Sequence, residues 1–185
     1  TAGERERQSL EPLLATPVSR TALVGGKMLA AALLGMASML LILVSFKLSA
    51  TLASGMAKQM DVSFLAMGKL LLTLLPLVLI GTALITLLAA GAKSMKEAQS
   101  HIMWLMLLPM LPTLVLMVSP VKDTALWQYA VPFLSQNQMI QKITRGDSAS
   151  FEQWGVYLVA SLALALALWL LAVWRYRQEK LAISA

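Results

Sequence analysis

The sequence predicts an all-α membrane protein with four transmembrane helices. Hydrophobic residues make up 58% of the 185 positions and charged residues 13%, whereas soluble domains contain about 45–50% and about 25%. Four uncharged stretches are each long enough to cross about 30 Å of hydrocarbon as a helix: 28–46, 70–92, 102–120 and 154–174. Helices are expected because a helix pairs its own backbone groups inside lipid.

Local signals set the expected ends of these spans, which are about 21–47, 63–92, 98–119 and 151–176. The candidate caps are Ser19 for the first span, Asp61 or Ser63 for the second, residues 97–100 for the third and Ser150 for the fourth. Ser150 is followed three residues later by Gln153, the spacing of a capping box. Pro17 holds the residue before it outside the helical region, which favours a start at Ser19.

Basic residues indicate how the spans are oriented. An even number of spans places both termini on one side, together with Arg5, Arg7, Arg20, Lys27, Lys93, Lys96, Arg175, Arg177 and Lys180. The opposite side carries Lys47, Lys58, Lys122, Lys142 and Arg145. Nine basic residues against five predict a multi-pass protein of the cell membrane with both termini in the cytoplasm.

The loop at 120–150 is expected to contain a short extracytoplasmic or re-entrant helix. Its predicted cap is Ser135, its apolar face is Met139, Ile140 and Ile143, its last turn holds Lys142 and Arg145, and its stop is Gly146. Trp127, Tyr129 and Phe133 precede it, and aromatic side chains favour the membrane surface. The alternative is an ordinary extracytoplasmic loop.

Composition excludes several classes of function. The chain has no cysteine and one histidine, so disulfides, thiol catalysis and a zinc site are not expected. The net charge is +6, but the basic residues cluster at the ends of apolar runs, which favours anionic lipid over nucleic acid as their partner. His101 and Trp104 are interpreted as an interfacial pair.

The spans themselves lack the groups of an enzyme or an ion-coupled pump. Their interiors contain no Asp or Glu, which removes carboxylate relays. The sequence at 24–28 does not have the spacing of a phosphate-binding loop, so no cofactor is expected in this chain; if ATP drives the protein, another chain or domain binds it. A cation site would need backbone carbonyls or hydroxyls such as those of Thr73, Thr82, Thr86 and Ser119.

The segment 1–20 differs from the rest of the chain. Glu4, Glu6 and Glu11 carry charge, and the stripe Leu10, Leu13 and Leu14 has helical spacing. Pro12 is tolerated in a first helical turn, and the helix must end before Pro17. About two turns are not stable alone in water, so lipid or a neighbouring protein is expected to hold them.

The same segment resembles the coupling segment of type-2 ABC exporter permeases, E-[RK]-E-x-G-[ST]-[LM]-E-x-L-L-x-[ST]-P-[VI]-S-R followed by G-K. The match runs from Glu4 to Arg20 and continues at Gly26 and Lys27, and it departs at Gln8, where Gly is usual. The resemblance implies a coupling helix that docks on an ATPase subunit. Its residues would be Glu4, Glu6, Leu10, Glu11, Leu13, Leu14, Pro17 and Arg20.

The resemblance has further implications. The chain is similar to sodium-efflux permeases of the NatB type, which implies the C-terminal half of a membrane subunit that works with a second permease copy or homologue. The start at Thr1 is consistent with a fragment or a processed chain. The alternative function is a non-transporting four-span scaffold or assembly protein, which would have no ATPase partner.

Overall fold

The structure is a computed structural model that describes residues 18–52, 63–92, 94–112, 114 and 125–183. Within these ranges the chain forms α1 (Arg20–Leu52), α2 (Phe64–Gly91), α3 (Met95–Leu105), a 3₁₀ helix (Leu126–Ala130), α4 (Leu134–Arg145) and α5 (Phe151–Ile183). The described ranges contain no strand, which confirms the all-helical class.

Three of the helices have the length and composition of membrane spans. They are Thr21–Leu52, Phe64–Gly91 and Phe151–Tyr176, each with a strongly apolar window. These segments correspond to the first, second and fourth predicted spans. Large apolar side chains along α1, such as Leu33, Leu34 and Leu41, are exposed, as expected for a surface in contact with lipid.

The predicted caps of these three spans are confirmed. The Ser19 hydroxyl accepts a hydrogen bond from the Ala22 amide at 3.2 Å, and the Ser63 hydroxyl accepts one from the Ala66 amide at 3.1 Å. At the start of α5, the Gln153 amide donates to the Ser150 hydroxyl while the Ser150 amide donates to Gln153 Oε1, at 3.2 and 3.1 Å. This reciprocal pair is a capping box. The alternative cap Asp61 lies outside the described residues.

The region of the third predicted span begins earlier than expected. Ser94 caps α3 by accepting from the Glu97 amide at 3.2 Å, so the helix starts at Met95. After Leu105 the backbone tightens, and the Leu108 amide donates to the Leu105 carbonyl in a 3₁₀ pattern. Pro109 explains this change, because it has no amide to bond to Leu105 and disfavours helical geometry at Leu108. Residues 113 and 115–124 lie outside the described residues, and a fourth span there stays a prediction.

The contacts between helices define two ends of the bundle. The start of α1 and the ends of α2 and α5 meet in an apolar cluster that includes Val24, Ala90 and Tyr176. We call this the cluster end. At the opposite end, Tyr157 of α5 contacts Thr73 of α2, and the 3₁₀ helix and α4 pack beside them. We call this the loop end.

These contacts fix the direction of each helix. Lys47, near the end of α1, lies 5.1 Å from the ring centre of Phe64 at the start of α2, so α1 and α2 are antiparallel. The helices α2 and α5 are parallel because both end at the cluster end. The chain between Gly91 and Phe151 therefore returns from the cluster end to the loop end.

Candidate functional site

Most of the predicted coupling residues lie outside the described residues. These are Glu4, Glu6, Leu10, Glu11, Leu13, Leu14 and Pro17. Arg20 is the first residue of α1. Ser19, at the end of the segment that resembles a coupling segment, caps the start of α1.

The described residues bring together a buried polar cluster at the loop end. We define it as Thr73 of α2, Ser135 and Gln136 of α4, and Tyr157 and Ser161 of α5, all of them buried. Polar groups are costly inside a membrane unless they are hydrogen-bonded, so their partners determine how the helices dock.

One contact of this cluster joins α2 to α5. The Tyr157 hydroxyl donates a hydrogen bond to the backbone carbonyl of Thr73. Pro76, which is buried in α2, has no amide hydrogen, so the normal bond to the Leu72 carbonyl is missing. The bond from Tyr157 is therefore made beside a weakened part of the α2 backbone.

A second set of contacts joins α4 to α5. Gln136 Nε2 donates to the Ser161 hydroxyl at 3.4 Å, and the Ser135 hydroxyl donates to Gln136 Oε1 at 3.2 Å. Gln136 Nε2 thus connects α4 to α5, while Gln136 Oε1 is held by its neighbour Ser135 within α4. This arrangement locates α4 along α5, because hydrogen bonds require specific distances and directions.

The 3₁₀ helix is tied to α4 by a further buried amide pair. Gln138 Nε2 donates to Gln128 Oε1 at 2.7 Å, and both side chains are buried. Tyr129 and Met139 pack against Tyr157 in an adjoining apolar cluster. The 3₁₀ helix, α4 and the start of α5 thus form one packed unit.

Within this unit, Lys142 of α4 contacts the capping box of α5. Its Nζ donates to Gln153 Oε1 at 2.9 Å and lies 5.5 Å from the ring centre of Tyr129. Gln153 Oε1 also accepts from the Ser150 amide. A residue predicted as a helix C-terminal cation therefore also holds α4 against the start of α5.

The predicted N-cap of α4 is wrong. Ser135 lies inside the helix, which begins at Leu134 after Phe133, and its hydroxyl bonds to Gln136. Phe133 has φ of 64°, a region that bulky residues rarely adopt and that costs of order 1–3 kcal/mol. A cavity of about 160 Å³ lined by Phe133, Gln136 and Pro109 lies beside this turn.

The predicted apolar face and C-terminal stop of α4 are confirmed. Met139 and Ile143 are buried, and Ile140 is half-buried on the same side of α4. Gly146 ends the helix with φ of 77°, the left-handed conformation that glycine adopts readily at this position.

Sequence reasoning did not identify the buried amides. Gln128, Gln136 and Gln138 carry no charge and do not belong to a catalytic pattern. A signal was nevertheless present, because the sequence SQNQ at 135–138 supplies more polar groups than a helix lying on lipid can satisfy.

The threonines proposed as cation ligands have hydrogen bonds within α2. The hydroxyls of Thr73, Thr82 and Thr86 donate to the carbonyls of Lys69, Leu79 and Thr82, respectively. Each hydroxyl oxygen keeps lone pairs that can accept another group. Ser119 lies outside the described residues. Among the described residues no group of three His, Cys, Asp or Glu side chains is placed to hold a metal ion.

Comparison with known proteins identifies the family. The family model described as "ABC-2 family transporter protein" matches residues 1–181. The chain belongs to the ABC-2 transporter family. It is also 30% identical over 149 residues to the ABC transporter permease protein NatB of Bacillus subtilis (strain 168). No solved structure matches the chain.

The alignment with NatB covers most of this ABC-2 chain but a smaller part of NatB itself. The alignment with NatB covers 78% of the chain but 39% of NatB, so the chain spans well under half of that relative. The family match includes the segment at 4–20 as well as the helices. Together with the three apolar helices, it establishes a multi-pass membrane protein.

Proposed function

We propose that this chain is part of the membrane subunit of an ATP-driven ABC exporter. The family match over residues 1–181 is the observation that carries the proposal. In such a subunit the chain itself is not an enzyme, and ATP is bound and hydrolysed by a separate ATPase. A second permease copy or homologue completes the membrane part.

The proposed contact with the ATPase is the segment that precedes α1. The acidic side chains of Glu4, Glu6 and Glu11 would meet basic groups of the ATPase, while the leucine stripe would enter an apolar groove. The Ser19 cap supports this role. A segment joined directly to a capped helix transmits displacement better than one joined by a flexible loop.

The packing of α1 indicates where such a displacement would go. Val24 and Met28, one and two turns into α1, are buried against the ends of α2 and α5. Movement of the coupling segment would therefore reach three spans through one apolar cluster. We place this end in the cytoplasm, in agreement with the excess of basic residues predicted there.

Sodium is the substrate that we propose, on the basis of the resemblance to NatB-type permeases. A sodium ion would be bound by neutral oxygens, because the described span interiors contain no carboxylate. The hydroxyl of Thr73 is a candidate ligand, since it lies next to Pro76 and within the buried polar cluster.

A matched pair of substitutions tests the coupling assignment. Leu14→Asp places a charge on the leucine stripe, and Ala15→Asp places the same charge one residue away, outside the stripe. With the ATPase present, Leu14→Asp should abolish ATP-driven transport in vesicles and leave membrane insertion intact, whereas Ala15→Asp should retain most transport. Charge reversal at Glu11 should also abolish transport.

Purification of the same variants distinguishes a transport function from the scaffold alternative. Purification of the full-length protein should recover an ATPase, and Leu14→Asp should reduce its recovery. Equal transport by the wild type and Leu14→Asp would contradict the coupling role. If no ATPase is recovered with the wild type, the scaffold function is favoured. Comparison of sodium with drugs, peptides and lipids in the vesicle assay then tests the substrate.

A further inference from the structure

A cavity of about 500 Å³ opens at the cluster end between α2, α3 and α5. This volume lies within the range of about 300–1,000 Å³ typical of ligand pockets. The cavity has an apolar wall formed by Leu87, Leu88 and Leu171 and a polar rim formed by Glu97, His101 and Arg175. It belongs neither to the predicted coupling segment nor to the buried polar cluster at the loop end.

The position of Arg175 depends on Gly91 at the end of α2. A side-chain carbon at position 91 would lie 2.9 Å from a terminal nitrogen of the Arg175 guanidinium. Such a contact is too close, so a larger residue at position 91 would require the flexible end of the Arg175 side chain to shift. Glycine therefore allows α5 to direct a cation across the end of α2 into the rim of the cavity.

The chemistry of the rim indicates a phosphate ligand. A guanidinium binds phosphate through two parallel hydrogen bonds. Arg175 is exposed, and its planar group is available to a ligand that enters from the membrane. Glu97 lies on the same rim, but the nine basic residues predicted on this side of the membrane outnumber the acidic ones and favour an anionic headgroup.

The apolar wall decides between a soluble anion and a lipid. Leucine side chains from α2 and α5 line the depth of the cavity, and they gain from contact with hydrocarbon. Trp174 also lines the cavity, and Trp104 is exposed on α3. Tryptophan is enriched at the level of lipid headgroups, which places the rim where a lipid phosphate lies.

We propose that this cavity binds an anionic phospholipid. The phosphate lies on Arg175, His101 borders the headgroup, and an acyl chain follows Leu87, Leu88 and Leu171. The lipid fills the space between α3 and α5 and so joins α3 to the bundle. This proposal is independent of ATP coupling and of the exported substrate.

Native mass spectrometry of the full-length protein tests the proposal. The protein is reconstituted in lipid discs that contain equal parts of phosphatidylcholine and phosphatidylglycerol, and the lipid retained after release is counted. The variants are Arg175→Gln, Arg175→Lys and Gly91→Ala. Arg145→Gln is the matched control, because it removes an exposed arginine at the loop end.

We expect the wild type to retain phosphatidylglycerol in preference to phosphatidylcholine. Arg175→Gln should weaken that binding about tenfold, since a charge-assisted hydrogen bond to phosphate is lost. Gly91→Ala should weaken it without removing a charge, Arg175→Lys should retain an intermediate affinity, and Arg145→Gln should bind as the wild type does.

Three outcomes would overturn the proposal. The first is the absence of a preference for phosphatidylglycerol in the wild type. The second is equal loss in Arg175→Gln and Arg145→Gln, which would indicate a general effect of charge. The third is displacement of the lipid by inorganic phosphate at equal concentration, which would indicate a site for soluble anions. If Arg175→Gln does not fold, Gly91→Ala and Arg175→Lys provide the same comparison.

Discussion

The two ends of the helical bundle are held together by different kinds of contact. At the cluster end the contacts are apolar and several come from small residues, among them Ala83, Ala90 and Ala172. At the loop end, hydrogen bonds from Tyr157 and Gln136 join three helices. Dispersion contacts have little directional preference, whereas hydrogen bonds require specific distances and angles.

This difference suggests that the cluster end moves more readily than the loop end. Helices packed through alanine can shift past one another at a smaller energetic cost than helices that share buried hydrogen bonds. The cluster end adjoins the proposed coupling segment, which precedes Ser19. We therefore expect ATP-driven motion to be concentrated at the cluster end, while the 3₁₀ helix, α4 and the start of α5 stay together.

The largest expected effect comes from overpacking the cluster end. Ala172 is fully buried, whereas Ala167 on the same helix is exposed. Ala172→Leu should destabilise the protein by about 1–3 kcal/mol because the larger side chain forces the helices apart. Ala167→Leu should be nearly neutral. Denaturant titration in detergent measures both, and equal effects would contradict the described packing.

Removal of Gln136 should have the next largest effect. Gln136→Ala removes the link between α4 and Ser161 and should cost about 1 kcal/mol. Gln141→Ala is the control, since the side chain of Gln141 bonds within α4, to Asn137 at 2.9 Å. Hydrogen exchange of α4 should rise in Gln136→Ala and change little in Gln141→Ala. A larger rise in Gln141→Ala than in Gln136→Ala would mean that Gln136 does not hold α4 against α5.

Tyr157→Phe should have a smaller effect. It removes the hydrogen bond to the Thr73 carbonyl and keeps the ring against Trp154, whose centre is 6.2 Å away. Hydrogen bonds between membrane helices contribute about 0.6 kcal/mol on average. Thermal unfolding should detect the loss, and faster hydrogen exchange near Pro76 should accompany it. Unchanged exchange there would argue against a role of Tyr157 in supporting α2.

The smallest expected effect is that of Lys142→Met. It removes the bond to Gln153 and the contact with the Tyr129 ring, and we expect a loss of about 0.5 kcal/mol. Arg145→Met, in the same turn but exposed, should be neutral. The same thermal measurement compares them, and an equal loss in both variants would mean that only net charge matters.

Local patterns predicted the starts of the long helices well, whereas α1 and α5 extend to Leu52 and Ile183, beyond the expected 47 and 176. Ser19, Ser63 and Ser150 act within a few residues of their own position, so their roles follow from spacing alone. Apolar length predicted four spans, and three of them are helices of spanning length in the described ranges.

Features that depend on distant residues were predicted less well. Ser135 was assigned as a cap from its spacing, but the helix starts one residue earlier, after the turn at Phe133, and Ser135 is buried inside it. The pairing of Gln128 with Gln138 depends on how two short helices pack. The position of Arg175 over Gly91 joins residues 84 positions apart, which no local pattern encodes.

Distance measurements between spin labels test directly whether ATP-driven motion is concentrated at the cluster end. The 185 residues contain no cysteine, so once any cysteine elsewhere in the transporter is replaced, labels can be placed at exposed positions: Val18 with Leu170 near the cluster end, and Phe64 with Phe151 at the loop end. The full transporter with its ATPase is compared before and after ATP is added. We expect ATP to change the distance between Val18 and Leu170, and we expect the distance between Phe64 and Phe151 to stay the same. A change confined to the Phe64 and Phe151 pair would contradict it.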